Sequence, residues 1–554
     1  MNKFKEEIIQ LIKEETKHEN IVIETPPNPE MGDYAFPCFS LSKIYKKAPN
    51  EIAEELAAKL AKRGSIKEIK AIGPYLNFFI NKDKLSNETI KHVLKQKDKY
   101  GSSDLGKGKK LTLEHTSINP NASPHVGRAR NAMIGDSLKR LLEFQNYNVE
   151  VHYFVNDVGK QIAMLVLGAE GKKSIKFEDL LKTYIAINEK VENNPELEKD
   201  VLAMLNRLEK GDKAVRQKFK KIVSICIKGQ TKLFLDLGIE YDKFDYESEF
   251  LWSKKTDETL KRLEKTGKLF IDGYNRWVLD QKGYGLGVEV PVLVLTRNDG
   301  TSLYPLRDIA YAIELSEKGN YIVVLGEDQK LYNEQINAAL KELEILQRHP
   351  VYYSFVLLKE GKMSTRKGNV VLLEDFMKEA VKKADQEIKK RYGRANDKAA
   401  KAIGYGAVKF GILRVSPEKS VVFEWEQALA FEGETSPYIQ YAYARIQSIL
   451  KKHKKKIDLN ADLSLLNTKE DIELIKHLSA FPEIVKKATE DLKPHLIANY
   501  VYALAQKFNE YYHVHQILKA DEKAKKARLL LIASVAQVIK NSLHLLGIDV
   551  LERM

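Results

Sequence analysis

Residues 117–138 read SINPNASPHVGRARNAMIGDSL, and this stretch decides how the chain folds. Upstream, KLTLEHTS places Leu111 and Leu113 at strand spacing. Downstream, RNAMIGDSLKRLLEF sets Ile134, Leu138 and Leu141 at helical spacing, and VEVHYFV returns to strand-forming residues. The order is strand, polar loop, helix, strand. In such βαβ units the loop beyond the strand's carboxyl end is where ligands bind. The helix that follows offers unpaired N–H groups to an anion.

The chain has 554 residues, enough for roughly three domains. Its 44% hydrophobic content suits large cores. Lys and Arg exceed Asp and Glu by 91 to 77, a net charge of +14 with a pI near 9.1. An excess of that size favours a polyanionic partner, nucleic acid first and a membrane surface second, although a generally lysine-rich composition gives the same number. The two cysteines, Cys38 and Cys226, are too far apart in sequence for a paired motif, so neither a disulfide framework nor a cysteine zinc site is expected. A reducing, cytoplasmic setting follows. The opening MNKFKEEIIQLIKEE is amphipathic and charged, unlike a secretory signal. No apolar run approaches the ~20 residues of a membrane span.

Residues 1 to 105 read as a small α/β module that closes on the alternating YLNFFI. A Lys- and Gly-rich stretch, KQKDKYGSSDLGKGKK, reads as a linker. Residues 106–425 form the parallel-sheet unit, with a charged helical insertion over about 165–240. YIVVLG (321–326) and YYSFVLL (352–358) are expected to complete its sheet. From 426 to 554 the pattern is helical, with Ile472, Ile475, Leu478 and Phe481 recurring at threes as in a bundle. KKHKKK (451–456) is most simply a solvated helix end.

Within the opening stretch, Gly127 lets another group approach the backbone, and His125 can donate to phosphate oxygens gathered at the helix start. On its own, PHVGR reads equally as a turn with a surface histidine. A second stretch, EGKMSTRKGNVV (360–371), gathers Lys362, Arg366 and Lys367 within six positions between glycines. Such loops close over polyphosphate and neutralise charge on leaving pyrophosphate.

The two stretches together resemble the HIGH (125–128) and KMSKS (362–366) signatures of class I aminoacyl-tRNA synthetases. More narrowly, SINPNASPHVGRARNAMIGD, YFVNDVGKQIA, DGTSLYPLRDIAYA, KMSTRKGN, SPYIQYAYARI and LLGIDVLERM are similar to the arginyl-tRNA synthetase family, and the resemblance runs over essentially the whole chain. It implies an α/β fold: a Rossmann-like catalytic domain with helical insertion, a small α/β amino-terminal module reading the tRNA elbow, and an all-α anticodon-binding bundle. It also implies ATP, with Mg2+ accompanying it, as the nucleotide, and L-arginine and tRNA(Arg) as substrates. His125, Gly127 and Asn121 would serve the ATP, as would Lys362, Met363 and Ser364; Arg366 and Lys367 would complete the loop. The signatures depart from the class at Arg128, in place of a His, and at Thr365 and Arg366, in place of Lys and Ser. Lys362 or Lys367 would then stabilise pyrophosphate.

A guanidinium is planar and permanently charged, so its receptor needs in-plane carboxylates. Tyr304 and Asp308 lie four apart, on one face of a helix, and Glu114 adds a second carboxylate. These match the family's receptor positions, while Ser117, Asn119 and Gln329 match positions holding the amino and carboxylate ends. Taken alone, Asp308 equally suits a pair with Arg307 or a helix cap. Tyr75 and Asn77 match contacts to a D-loop base. Tyr438, Tyr441, Tyr443 and Arg445 offer stacking faces and a cation for the anticodon. The family resemblance also implies that tRNA binds before amino-acid activation. Two scattered cysteines and an acidic pocket disfavour a cysteine or glutamate enzyme, and a non-catalytic tRNA-binding relative is the remaining alternative. No self-complementary surface is marked, so a monomer is expected.

Overall fold

Five parallel strands form the central sheet of the computed structural model, which describes residues 3–26, 28–172, 174–358, 371–393 and 396–554. In spatial order they are His349–Tyr353, Asn320–Gly326, Lys110–Glu114, Asn148–Val155 and Lys243–Tyr246. The chain starts at the middle strand, steps outward to Lys243–Tyr246, then returns to lay Asn320–Gly326 on the opposite side. That reversal makes a crevice between the carboxyl ends of Lys110–Glu114 and Asn320–Gly326. Asn320–Gly326 is a nearly continuous apolar run, and Lys110–Glu114 is buried from Leu111 onward, because both faces are covered.

Helix Val126–Phe144 starts at this crevice and is buried along most of its length. The sheet lies against one side, and Lys469–Glu490 and Glu522–Leu545 of the carboxyl-terminal bundle lie against the other. The insertion consists of helices Lys160–Ala169, Leu180–Glu192, Pro195–Glu209 and Lys213–Asp236 around a separate core of Leu165, Val201, Phe219 and Cys226. It begins slightly earlier than the charge pattern indicates.

Two expectations are corrected. The run 352–358 does not enter the sheet whole: His349–Tyr353 joins it, while Val356–Leu358 pairs separately with Val421–Phe423. The break falls where buried Arg130 takes the Ser354 carbonyl at 2.7 Å and those of Ser416 and Lys419 at 2.9 and 2.8 Å. The stretch read as a linker is tied down, since the Tyr100 hydroxyl donates to Leu478 O at 2.8 Å and Asn541 Nδ2 donates to Lys97 O and Tyr100 O. The sequence pattern also missed a small antiparallel sheet, Leu269–Ile271, Trp277–Asp280 and Val292–Val294.

At the amino end, Tyr75–Ile80 lies between Tyr34–Pro37 and Ile66–Ile72, all antiparallel. The module is joined to the bundle by ion pairs Lys5–Glu483 and Lys476–Asp33. In the bundle, Ile472, Ile475, Leu478 and Phe481 are all buried.

Candidate active site

Directly after Glu114 the chain makes a sharp turn, with Thr116 and Ser117 in the left-handed region at φ +73° and +41°. Each non-glycine residue held there costs about 1–3 kcal/mol, so the turn needs support. Asn131, one turn into the following helix, supplies it: its Oδ1 accepts from Thr116 N at 2.6 Å and its Nδ2 donates to Val324 O at 2.8 Å. His115 is buried beneath, pushed down to about 3 by burial, with its ring against Gly135.

The turn aims Ser117 Oγ at Glu114 Oε1, 3.0 Å away, while Ser117 Oγ accepts from Phe154 N at 3.2 Å. The Tyr321 hydroxyl donates to the other Glu114 oxygen. Glu114 is buried, and desolvation pushes its carboxyl above the usual range. Its Tyr321 bond and the positive Arg348 oppose that shift, whereas the negative Asp308 adds to it.

His125 caps the helix: its Nδ1 accepts from Arg128 N at 3.3 Å. The proton of the neutral ring therefore resides on Nε2. Burial first, and the adjacent Arg128 second, push this imidazole down to about 4, so it is neutral at physiological pH. His125 also pairs in an antiparallel bridge with Leu372. Val126 N donates to Val371 O at 3.2 Å and Leu373 N donates to Pro124 O at 2.8 Å. The exit of the cationic stretch is thus fastened to the helix start, although Lys362, Met363, Ser364, Arg366 and Lys367 themselves lie outside the described residues.

Asn119 and Asn121 come together through a residue that spacing did not single out. Both amides donate to Gln161 Oε1, at 3.2 and 3.1 Å. Gln230 of the insertion donates to the carbonyls of Asn119 and Ala122. Gln329 ends the short turn after Asn320–Gly326, across the crevice.

Asp308 and Tyr304 sit on helix Tyr304–Ser316, as the four-residue spacing requires. Tyr304 is exposed, its ring 5.2 Å from that of Tyr332. Asp308 does not pair with Arg307, which goes to Glu247 at 2.7 Å. Its partner is Arg348, whose Nη1 and Nη2 reach the two carboxylate oxygens at 3.0 and 3.3 Å. Arg348 was not legible in the sequence.

Beside this site, a cavity of about 890 Å³ is lined by Asp157, Lys213, Arg216, Lys220 and Trp252, with the Arg216 guanidinium 3.7 Å from the Trp252 ring. Burial pushes the Asp157 carboxyl up to about 6, against two bonds from Ser248. Among the described residues, no group of three or more His, Cys, Asp or Glu is placed to hold a metal, and no helix is long and apolar enough to cross a membrane.

The sites expected for tRNA divide. Tyr75 stands edge-on to the exposed Phe39 at 5.9 Å. Asn77 is 1% exposed and its amide donates to the Tyr75 carbonyl, so it faces inward. In the bundle, Arg445 lies between Tyr441 and Tyr512, 4.7 and 4.9 Å from the ring centres, and donates to Asn509 at 2.8 Å. Tyr441, Arg445 and Tyr512 line a cavity of about 700 Å³ with Lys452 and Arg553. Tyr438 instead packs towards Tyr502, and Tyr443 is buried.

Three family profiles divide the chain between them: the arginyl tRNA synthetase N-terminal domain at 1–80, the class I (R) tRNA synthetase catalytic domain at 89–425 and the DALR anticodon binding domain at 439–554. The arginine–tRNA ligase of Methanocaldococcus jannaschii is 40% identical, over 98% of this chain and 97% of its own. That of Clostridium perfringens is 38% identical over all of both. The chain belongs to the arginyl-tRNA synthetase family. The solved Thermus thermophilus arginyl-tRNA synthetase matches with a TM-score of 0.84 at 26% identity, covering both chains fully. In this arginyl-tRNA synthetase family member, the catalytic-domain match contains Glu114, His125, Asp308 and Leu372, and the DALR match contains Arg445 but starts just after Tyr438.

Proposed function

We propose that the chain is an arginine–tRNA ligase. It activates L-arginine with ATP, releasing pyrophosphate, and passes the arginyl group to the 2′-hydroxyl of the terminal adenosine of tRNA(Arg). The observation that carries this reading is the His125–Leu372 bridge, which fastens the segment following the second signature to the first signature.

Attack of a carboxylate on the α-phosphate needs alignment and charge stabilisation rather than a protein nucleophile. His125 is neutral and carries its proton on Nε2, and that N–H donates to a phosphate oxygen. The helix dipole adds a positive field at the same end. Gly127 leaves room on the nucleotide side, and Asn121, steadied by Gln161, borders it. Lys362 or Lys367 meets the leaving pyrophosphate, with Met363, Ser364 and Arg366 in the same loop. Magnesium accompanying the ATP would neutralise part of the triphosphate charge. Glu114, Asp308 and Tyr304 take the guanidinium, while Ser117, Asn119 and Gln329 hold the amino and carboxylate ends.

The tRNA is read at both ends of the molecule. Tyr75 with Phe39 offers a stacking edge for an elbow base, and Arg445 between Tyr441 and Tyr512 offers a cradle for an anticodon base. The +14 charge supplies the general attraction to phosphate. The ligase works as a monomer in the cytoplasm.

The test is charging of total tRNA with each of several radiolabelled amino acids. Arginine alone should be esterified; failure with arginine, or charging with another amino acid, overturns the reading. Pyrophosphate exchange run with and without tRNA shows whether tRNA must bind first.

A further inference from the structure

Arg348 has no role in the reaction as described so far, yet it is more deeply buried than the aspartate it binds, at 4% side-chain exposure against 19%. Every part of its guanidinium is engaged. Nε donates to Asn333 Oδ1 at 2.6 Å, and Nη1 and Nη2 take one oxygen each of Asp308. Its backbone is fixed as well, since Arg348 N donates to Asn337 Oδ1 and Asn337 Nδ2 donates to Arg348 O. A side chain held at so many points is not poised to swing aside.

The strand register shows from which side it approaches. His349 lies opposite Ile322, and Glu114 lies opposite Val323. Arg348 therefore enters below the level of Glu114, from the amino-end side of the sheet, whereas the Ser117 turn and Gln329 stand on the carboxyl-end side. A carboxylate has about four acceptor positions. Arg348 occupies two on Asp308, which leaves room for an incoming N–H.

Charge points the same way. Glu114 and Asp308 together carry two negative charges when ionised, and the negative Asp308 adds to the upward push that burial gives the Glu114 carboxyl. Arg348 reduces the sum to a single negative charge, the complement of one guanidinium.

We propose that Arg348 is a positioning residue for the substrate: it holds the Asp308 carboxylate flat through one bond to each oxygen, and thereby sets the preference for a cationic side chain over a neutral one of the same shape. The inference rests on the reading that Glu114 and Asp308 receive L-arginine.

The experiment compares wild type, R348Q and R348K in tRNA-supported adenylation, with L-citrulline, the neutral urea analogue of arginine, as a competitive inhibitor. In R348Q the KM for arginine should rise about tenfold or more, as expected when one member of a coupled buried network is removed, while the KM for ATP stays the same. The ratio of citrulline Ki to arginine KM should narrow, and R348K should restore part of it. An unchanged ratio in R348Q reduces Arg348 to a structural brace, and a fall in arginine KM makes it an obstruction; either overturns the proposal. Should R348Q fail to fold, N333L loosens the same guanidinium while keeping its charge, and must move the ratio in the same direction. If wild type itself does not charge arginine, the proposed function fails. If wild type charges normally and the ratio does not move, only the role of Arg348 fails.

Discussion

His125 and Leu372 are partners across an antiparallel bridge, although most of the catalytic region lies between them in sequence. One histidine thereby does two things: its Nδ1 caps the helix and its backbone fixes the exit of the cationic stretch. The cap and the phosphate donor, by contrast, separate by substitution. H125N keeps a side-chain acceptor for the cap but loses the imidazole N–H, whereas H125A loses both. Both variants should lower the adenylation rate about a hundredfold, the usual effect of removing one donor to developing charge. Only H125A should also lose about 1 kcal/mol of stability for the missing cap. Single-turnover adenylation and thermal melts measure the two effects. A normal rate in either variant removes His125 from the phosphate site.

Glu114 yields a pH prediction. Burial raises its folded-state pKa, so below that value the carboxyl is protonated and neutral. Receiving a guanidinium requires the carboxylate, so arginine binding expels a proton over the pH range in which Glu114 is still protonated. Apparent arginine affinity should therefore rise with pH through that range and then level off. E114Q should abolish the dependence and raise the KM for arginine about a hundredfold, as for loss of a charged hydrogen bond. Calorimetry of arginine binding in buffers of different ionisation enthalpy counts the protons. Uptake rather than release would contradict the assignment.

Gly135 interrupts a helix otherwise full of larger side chains, and the reason is steric. A Cβ built there would meet His115 Cγ at 2.2 Å. G135A should destabilise by about 1–3 kcal/mol, as overpacking does, and should raise the KM for arginine by displacing the turn that carries Ser117. Shortening the opposing ring in H115A/G135A should recover much of the stability lost by G135A alone. Chemical denaturation of the single and double variants decides it. Strictly additive losses would mean that the two residues do not conflict.

What the sequence made legible follows from how local each signal is. Leu111, Leu113 and the run YIVVLG advertise buried strands through residue type alone, and Glu114 stands out as a carboxylate at the end of such a strand. The partners of those residues are another matter. Arg348 meets Asp308 only because the strand order places His349–Tyr353 beside Asn320–Gly326, and nothing within LEILQRHP announces it. Tyr321 and Gln161 reach their partners across strands or between elements in the same way. The sheet over Leu269–Val294 escaped because its strands are three or four residues long, too short for alternation to show. Strand spacing likewise gives the position of Asn77 but not which face the module's core covers.

The bundle offers a prediction that leaves the chemistry untouched. Arg445 lies between two tyrosine rings and is steadied by Asn509, an arrangement that joins a stacking surface to a fixed cation. If an anticodon base enters there, Y512A should weaken tRNA binding by about 1–3 kcal/mol, the range for one stacked base. R445A should do likewise and also reduce the steepness of the salt dependence by about one phosphate contact. Tyr441 and Tyr512 share the same cation, so losses in the R445A/Y512A double variant should fall short of the sum of the single losses. Filter binding of tRNA(Arg) across a salt series measures all of these terms. Arginine affinity measured with saturating tRNA should stay at the wild-type value, because the cradle is in the bundle and the Glu114–Asp308 pair is in the crevice. A change in arginine KM under saturating tRNA, with unaltered tRNA affinity, would exclude the cradle as an anticodon site.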